Sequence, residues 1–207
     1  MLLNLKAPVS SVAKLILFAD DTNLFFSNKD PLHLIELLNQ EIPKFLQWLT
    51  ANKLSLNFDK TKFILFKPRQ KKISFQIHLK LNNREIEQVK ETVFLGVVLD
   101  ENLNWRSHVA HVANKISKSI GIIRKSRFYL KNESLRILYF TMIYPYLQYC
   151  NLVWASTYPS NLSRLVILQK RVIRIINKSD FNAHTSRIFK ALHLLKFQDI
   201  KNLQISQ

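Results

Sequence analysis

The chain has 207 residues, 47% of them hydrophobic, and a formal net charge of +17 from 31 Lys and Arg against 14 Asp and Glu. This length and apolar content can build one good-sized core or two small ones, which excludes a disordered chain. Only two glycines and one cysteine, Cys150, are present, so glycine-rich phosphate loops and intramolecular disulfides are excluded.

The first recognisable element is LILFADDTNLFF at 15–26, where two apolar runs flank a polar tip, a pattern typical of a β-hairpin. The first run is apolar on both faces, which predicts that both faces are covered. Charge is costly near a core unless it is paired or binds a cation, so Asp20 and Asp21 are a candidate metal site. The alternative is a solvated turn, because Asp is a common turn residue.

Asp30 followed by Pro31 predicts the start of a helix, and Pro43 within that helix predicts a kink or a break. The alternation in 53–66 predicts two strand pieces around a polar centre, 57–62.

Residues 73–81 alternate as a half-buried strand, with Asn82 and Asn83 as the turn that follows it. The segment 92–100 predicts a second strand pair or bend, in which Gly96 allows a tight turn or a bulge.

From Asn104 onward the apolar spacing is helical. The first predicted helix carries an apolar stripe of Val109, Val112, Ile116, Ile120 and Ile123. A second helix is predicted from Lys131 or Asn132, a third over about 161–177 and a short last one over 185–195. The uncharged segment 137–163 contains two prolines and several amides, which predicts a buried helix followed by a loop rather than a membrane span.

The C-terminal half is strongly basic, with thirteen Lys or Arg and one acid, Glu133, between residues 102 and 179. Mixed signs are the default on surfaces, so this bias predicts faces that bind a polyanion. The predicted contact residues are Lys115, Lys118, Arg124 and Lys125 on the first helix and Arg164, Arg171, Arg174 and Lys178 on the third. For any one helix, a solvated surface is the alternative.

Other chemically interesting side chains have ordinary interpretations. His108 and His111 have a possible ligand spacing, but without a third ligand we predict a surface pair. Trp105, Trp154 and Tyr149 are interpreted as core packing rather than as base-stacking residues.

Four strings, in this order, resemble the C-terminal part of the reverse transcriptase of LINE-type (non-LTR) retrotransposons. They are LILFADDTNLFF, WLTANKLSLNFDKTKFILF, FLGVVLDENLNWRSHVAHVANKISKSIGIIRKSR and LYFTMIYPYLQYCNLVWAS. Together they cover most of residues 15–180. The Phe-Ala-Asp-Asp box is weak alone, but the same box at the right distance from the later strings is a strong signal.

The resemblance implies an α+β fold: a partial polymerase palm of antiparallel hairpins plus a helix, followed by an all-helical thumb. The implied divisions are 1–91 for the palm with its catalytic hairpin, 92–103 for a primer-grip-like turn, 104–180 for the thumb and 181–207 for a helical tail.

The resemblance also implies roles for single residues. Asp20 would bind metal, with Asp21 as its less directly ligating neighbour, and Lys60 would lie near the phosphates of the incoming nucleotide. The primer-grip-like residues would be Phe94, Leu95 and Gly96. The implied cofactor is Mg²⁺, and the implied partners are an RNA template, a DNA primer or RNA–DNA duplex, and dNTPs.

The family's further palm carboxylate comes from an earlier strand, and none of the 19 residues before Asp20 is Asp or Glu. Asp59 and Asp100 are the candidate substitutes by strand position, although nothing in their spacing supports either. We therefore expect a polymerase fragment that does not polymerise alone. The alternative is a catalytically dead nucleic-acid-binding remnant, and a third class is a basic peripheral membrane protein. The absence of a secretory signal in MLLNLKAPVS predicts an intracellular protein, in the nucleus or cytoplasm.

Overall fold

The computed structural model describes residues 13–19, 21–70, 77–82 and 84–206. Contacts divide the chain into two compact units: a first unit of Met1–Leu65 with Arg69–Val89, and a second unit of Phe66–Pro68 with Lys90–Gln207. Helices, antiparallel hairpins and one short parallel pair together make the predicted mixed α+β composition, which is confirmed at this level.

The first unit contains one helix and six strands in its described residues. They are β1 (Ala13–Phe18), β2 (Asp21–Phe26), α1 (Pro31–Ala51), β3 (Lys62–Phe63), β4 (Lys80–Leu81), β5 (Arg84–Glu85) and β6 (Glu87–Gln88). A small core gathers around Ile42, Leu81 and Ile86, where α1 meets the strands.

The predicted hairpin at 15–26 is confirmed, since β1 and β2 pair antiparallel with Ala13 opposite Phe26 and Phe18 opposite Asp21. The prediction that both faces of the first run are covered is wrong, because the side chains of Leu17 and Phe18 are 41% and 59% exposed. The hairpin tip is therefore not held against a core within the described residues.

The helix start at Asp30 is confirmed. The Asp30 carboxylate accepts a hydrogen bond from the Leu32 N–H at 3.0 Å, and Pro31 occupies the first turn, where its missing N–H costs nothing. The helix is not broken at Pro43, which lies on an exposed side of one continuous segment ending at Ala51.

The prediction of two strand pieces in 53–66 is wrong for the first piece. Residues 54–57 are not strand, and only β3 at the end of the segment pairs, in parallel with β6. The turn after β4 is consistent with the prediction, because Asn82 has a φ of +48° and β4 pairs antiparallel with β5. Of the predicted strand 73–81, residues 73–76 lie outside the described residues, as does Asn83.

The second unit begins with a hairpin and continues as helices. Its elements are β7 (Glu91–Phe94), β8 (Val97–Asp100), α2 (Arg106–Ser126), α3 (Asn132–Met142), α4 (Tyr144–Gln148), α5 (Asn151–Trp154), α6 (Pro159–Ile176), α7 (Thr185–Ala191) and α8 (Phe197–Ile205). None of the helices in the described ranges is long and apolar enough to cross a bilayer.

The apolar stripe predicted for the first thumb-like helix forms the centre of the second unit's core. Its five residues on α2 are between 0% and 4% exposed. Fully buried side chains from α3 to α8 complete this core, among them Leu135, Tyr139, Trp154, Ile173 and Ile200. Helical periodicity alone therefore identified the central helix of this unit correctly.

The prediction of one buried helix within 137–163 is wrong. The segment is divided between α3, α4, α5 and the start of α6, with breaks at Ile143 and at Cys150, which has a φ of +50°. Pro145 explains the first break, since proline has no N–H to bond the Thr141 carbonyl and its ring would clash with that carbonyl in a continuous helix. The second break leaves Cys150 exposed rather than packed in an apolar segment.

The C-terminal helices also differ from the prediction. The third predicted helix begins at Pro159 rather than near Asn161, and the helix predicted over 185–195 ends at Ala191. A separate helix, α8, follows it and packs on α4, α5 and α6.

Candidate nucleic-acid interface

Two helices of the second unit present the predicted basic residues to solvent. Lys115, Lys118, Arg124 and Lys125 on α2 are exposed and lie off the buried stripe of the same helix. On α6, Arg164 and Arg171 are exposed in the same way. Lys67 and Glu101 form the one ion pair within the described part of the second unit. The cations of α2 and α6 therefore have no acidic partner there.

The two basic helices lie side by side. Arg164 donates to the Asn114 side-chain oxygen at 3.0 Å, and Thr157 donates to the Asn104 carbonyl at 2.9 Å. These two contacts occur in the same order along both segments, which means that α2 and α6 run in the same direction. Lys118 follows Asn114 by one turn, so this lysine lies on the side of α2 that carries Asn114.

Two of the predicted contact residues are placed differently. Lys178 is not on the basic face of α6, because the helix ends at Ile176 and Lys178 takes a left-handed φ of +54° beyond it. Arg174 is half-buried, and its Nε donates to the Ala183 carbonyl at 2.9 Å. Lys170, which the sequence analysis did not select, is exposed on the same helix.

The turn between β7 and β8 has a defined geometry. Phe94 pairs with Val97 across a two-residue loop, and Leu95 and Gly96 have φ values of +46° and +77°. Positive φ at both loop residues is the geometry that a two-residue hairpin favours, because its twist matches the strands. The tight turn that we predicted at Gly96 is therefore confirmed.

A tyrosine from the break between α4 and α5 holds this turn. The Tyr149 hydroxyl donates to the Leu95 carbonyl at 2.7 Å, and its ring lies 3.7 Å from where a Cβ on Gly96 would be. The Trp154 indole N–H donates to the Tyr149 carbonyl at 2.8 Å, which links the tyrosine to the core. Tyr149 is 52% exposed, so its interpretation as core packing is wrong, whereas that of Trp154, fully buried, is confirmed.

Asp100, considered as a substitute metal ligand, is a structural residue. Its carboxylate is buried and accepts from the N–H groups of Asn102, Asn104 and Trp105 and from the Asn104 side-chain amide, at 2.9–3.2 Å. These bonds occupy both oxygens and fold the chain from β8 into the start of α2. The carboxylate is therefore not free to bind a cation.

His108 is buried at 3% exposure, so the predicted surface pair with His111 is wrong. Its Nδ1 accepts from the Val98 N–H at 3.2 Å, which requires a neutral ring with the proton on Nε2. The ring meets Trp154 edge to face at 5.3 Å between centroids. Burial, with a smaller contribution from the charge of His111, lowers the pKa of His108 to about 4.

The predicted catalytic residues fall in the first unit. Asp21 is exposed at the first position of β2, and Lys60 is exposed in a turn rather than in a strand pair, with its N–H bonded to Asn57. Asp20 lies outside the described residues. Among the described residues no group of three or more His, Cys, Asp or Glu side chains could hold a metal ion. The described carboxylates therefore do not form a complete site for Mg²⁺.

The chain as a whole is similar to reverse transcriptases of non-LTR retrotransposons, which confirms the resemblance read from its motifs. No family model matches it, and no solved structure matches it.

The similarity is to the RNA-directed DNA polymerase from mobile element jockey of Drosophila melanogaster. The two are 24% identical over 187 residues, which is 88% of this chain and 20% of that relative. The chain thus spans about one fifth of the length of the curated relative that it matches.

Proposed function

We propose that this chain is a palm-and-thumb part of an RNA-directed DNA polymerase of the non-LTR retrotransposon type, and that it binds a template–primer duplex inside the cell. The observation that carries this proposal is the similarity over 187 residues, which covers 88% of this chain. The proposed partners are an RNA template, a DNA primer and dNTPs. The phosphates of a nucleic-acid duplex would supply the negative charge that the basic helices do not find in ion pairs with the described residues.

In this proposal the second unit grips the duplex by its backbone. Lysine and arginine contacts to phosphates fix position and orientation without reading sequence, as a polymerase requires. An RNA–DNA hybrid is A-form-like, and recognition by shape suits it. The Leu95–Gly96 turn would contact the primer strand, and Tyr149 would keep that turn in place through its bond to the Leu95 carbonyl.

Binding to a hybrid duplex tests the proposal. We expect the purified chain to bind a short RNA–DNA hybrid with an affinity that falls steeply as salt rises, with a slope of about −0.9 per phosphate contact in a log–log plot. Fluorescence anisotropy over a salt series measures this. Vesicles containing anionic lipid, at the same salt, are the comparison for a peripheral membrane protein. A flat salt response, or tighter binding to the vesicles than to the hybrid, would contradict the proposal.

For catalysis we propose a partial site. Asp20 and Asp21 would contribute to an Mg²⁺ site only when a further palm carboxylate is supplied from outside this sequence, and Lys60 would neutralise charge on the nucleotide's phosphates. Mg²⁺, when bound by such carboxylates, stabilises charge on the attacking and leaving oxygens of phosphoryl transfer. The alternative is a non-catalytic nucleic-acid-binding remnant.

Primer extension tests whether the chain holds a complete catalytic site. We expect the purified chain to incorporate no dNTP on an RNA template with Mg²⁺, because two-ion chemistry needs more carboxylates than the hairpin offers. Robust incorporation that disappears in Asp20→Ala would overturn this expectation and show that the chain holds a complete site. A catalytically active retroviral reverse transcriptase in the same buffer is the positive control.

A further inference from the structure

A cavity of about 470 Å³ opens among α6, the start of α7 and the start of α8, entirely within the second unit. Its polar and charged lining includes Lys170 and Arg174 from α6, His184, Thr185 and Ser186 at the start of α7, and Lys196 before α8. The buried rings of Phe189 and Phe197 also line it. The cavity is lined by residues as many as 32 positions apart in sequence, from Val166 to Gln198.

The walls of this cavity are fixed by buried hydrogen bonds. Gln169 is 2% exposed, and its amide nitrogen donates to the Tyr139 hydroxyl at 2.8 Å and to the Leu195 carbonyl at 3.0 Å. Its side-chain oxygen accepts from the Phe197 N–H at 2.8 Å, which sets the start of α8 against α6. The bond from Arg174 Nε to the Ala183 carbonyl likewise fixes the position of this guanidinium at the cavity.

The electrostatics of the cavity select an anion. Lys170, Arg174 and Lys196 carry permanent charges, His184 adds a further donor, and no carboxylate is among the lining residues. None of the three cations forms an ion pair with a described residue. A concave surface lined by one sign of charge focuses the field, and the hydroxyls of Thr185 and Ser186 add neutral donors. Tetrahedral oxyanions, of which phosphate is the commonest in cells, fit such a donor set.

We propose that this cavity, called here the tail pocket, binds a phosphate group of the nucleic-acid backbone. The inference rests on the proposed function and adds a defined anchor to it. Arg164, Arg171 and Arg174 fall on one side of α6, and Arg164 and Arg174 are about 15 Å apart along the axis. A nucleic-acid strand that runs along these arginines reaches the tail pocket at Arg174. There, donors from several elements contact one phosphate.

The test compares two double substitutions in the full chain. The pocket variant is Lys170→Gln with Lys196→Gln, and the matched control is Arg187→Gln with Lys190→Gln, two exposed cations of α7 that do not line the cavity. Both remove two positive charges. Because all four side chains are exposed, we expect both variants to fold, which circular dichroism and urea unfolding check.

We expect the pocket variant to bind a short RNA–DNA hybrid about tenfold more weakly in 0.1 M salt, with its salt slope smaller in magnitude by about 1. The control variant should keep the wild-type slope, and Lys170→Arg with Lys196→Arg should restore most of the affinity. Equal losses in the pocket and control variants would overturn the proposal, since they would reflect net charge alone. Failure of the arginine variant to restore binding would also count against it.

A second arm separates a backbone phosphate from a free one. The ³¹P NMR linewidth of inorganic phosphate is measured with wild-type chain and with the pocket variant. If the wild-type chain binds no hybrid, the proposed function fails, and pocket-dependent broadening would then assign the tail pocket to a free phosphate, overturning the nucleic-acid source. If the wild-type chain binds the hybrid but the pocket variant binds it equally well, the proposed function stands and the tail pocket proposal alone fails.

Discussion

Replacing Asp100 with alanine is expected to lower the free energy of unfolding of the second unit by about 3 kcal/mol. The carboxylate satisfies three backbone N–H groups and the Asn104 amide, and it does so while 6% exposed. Alanine leaves these donors without an acceptor in a place that water reaches poorly. The N-cap residue of α2, Trp105, makes no capping bond with its own side chain, so the bond from its N–H to Asp100 is one of the few that order the start of this helix.

Urea unfolding followed by tryptophan fluorescence measures this loss, because Trp105 and Trp154 lie in the second unit. Asp180→Ala, at an exposed position of the same unit, is the matched control and should change stability by less than about 0.5 kcal/mol. Asp100→Asn keeps one side-chain oxygen and should cost less than alanine. A loss in Asp100→Ala no larger than in Asp180→Ala would show that the carboxylate does not organise this turn.

Stability is expected to fall by about 3 kcal/mol between pH 6.5 and about 4, because in this range His108 takes up a proton in the unfolded chain but stays neutral in the folded chain. The neutral ring is favoured in the folded state, since burial disfavours the imidazolium and its Nδ1 is already an acceptor for the Val98 N–H. The folded pKa is thus below the unfolded one. The contribution is complete above pH 6.5 and is lost as the pH falls toward the folded value.

Urea unfolding midpoints measured at several pH values test this pH dependence. The wild-type chain is compared with His108→Leu and, as the control, His111→Leu. In His108→Leu the fall between pH 6.5 and 4 should become shallower, although overall stability decreases because the Val98 N–H loses its acceptor. In His111→Leu the profile should stay close to that of the wild-type chain, since His111 is exposed. Equal slopes in the wild-type chain and in His108→Leu would refute the assignment.

The elements that could be predicted from the sequence are those whose conformation depends on residues close together in the chain. The Asp30–Pro31 cap, the apolar stripe of α2 and the tight turn at Gly96 each depend on residues within a few positions of one another. Their outcomes could therefore be predicted without knowing what they pack against.

The errors occurred where neighbours distant in the sequence decide the outcome. His108 looked like a surface residue because its spacing to His111 suggested a pair, and only the packing of Trp154 and β8 buries it. Asp100 looked like a free carboxylate at a strand end, and only the fold of the following turn directs N–H groups toward it. Lys178 was placed on a helix face because its spacing continues that of α6, but the chain turns away before it.

The sequence by itself determined the resemblance to non-LTR reverse transcriptases, the hairpin that carries the Asp pair, the helical second half and the excess of basic residues over acidic ones. These are properties of composition, order and local periodicity. The tertiary structure alone decided that α2 and α6 lie side by side, that Tyr149 holds the Leu95–Gly96 turn, and that Lys170, Arg174 and Lys196 line one cavity. Such convergence depends on how helices pack, and packing is set by the whole core rather than by any segment.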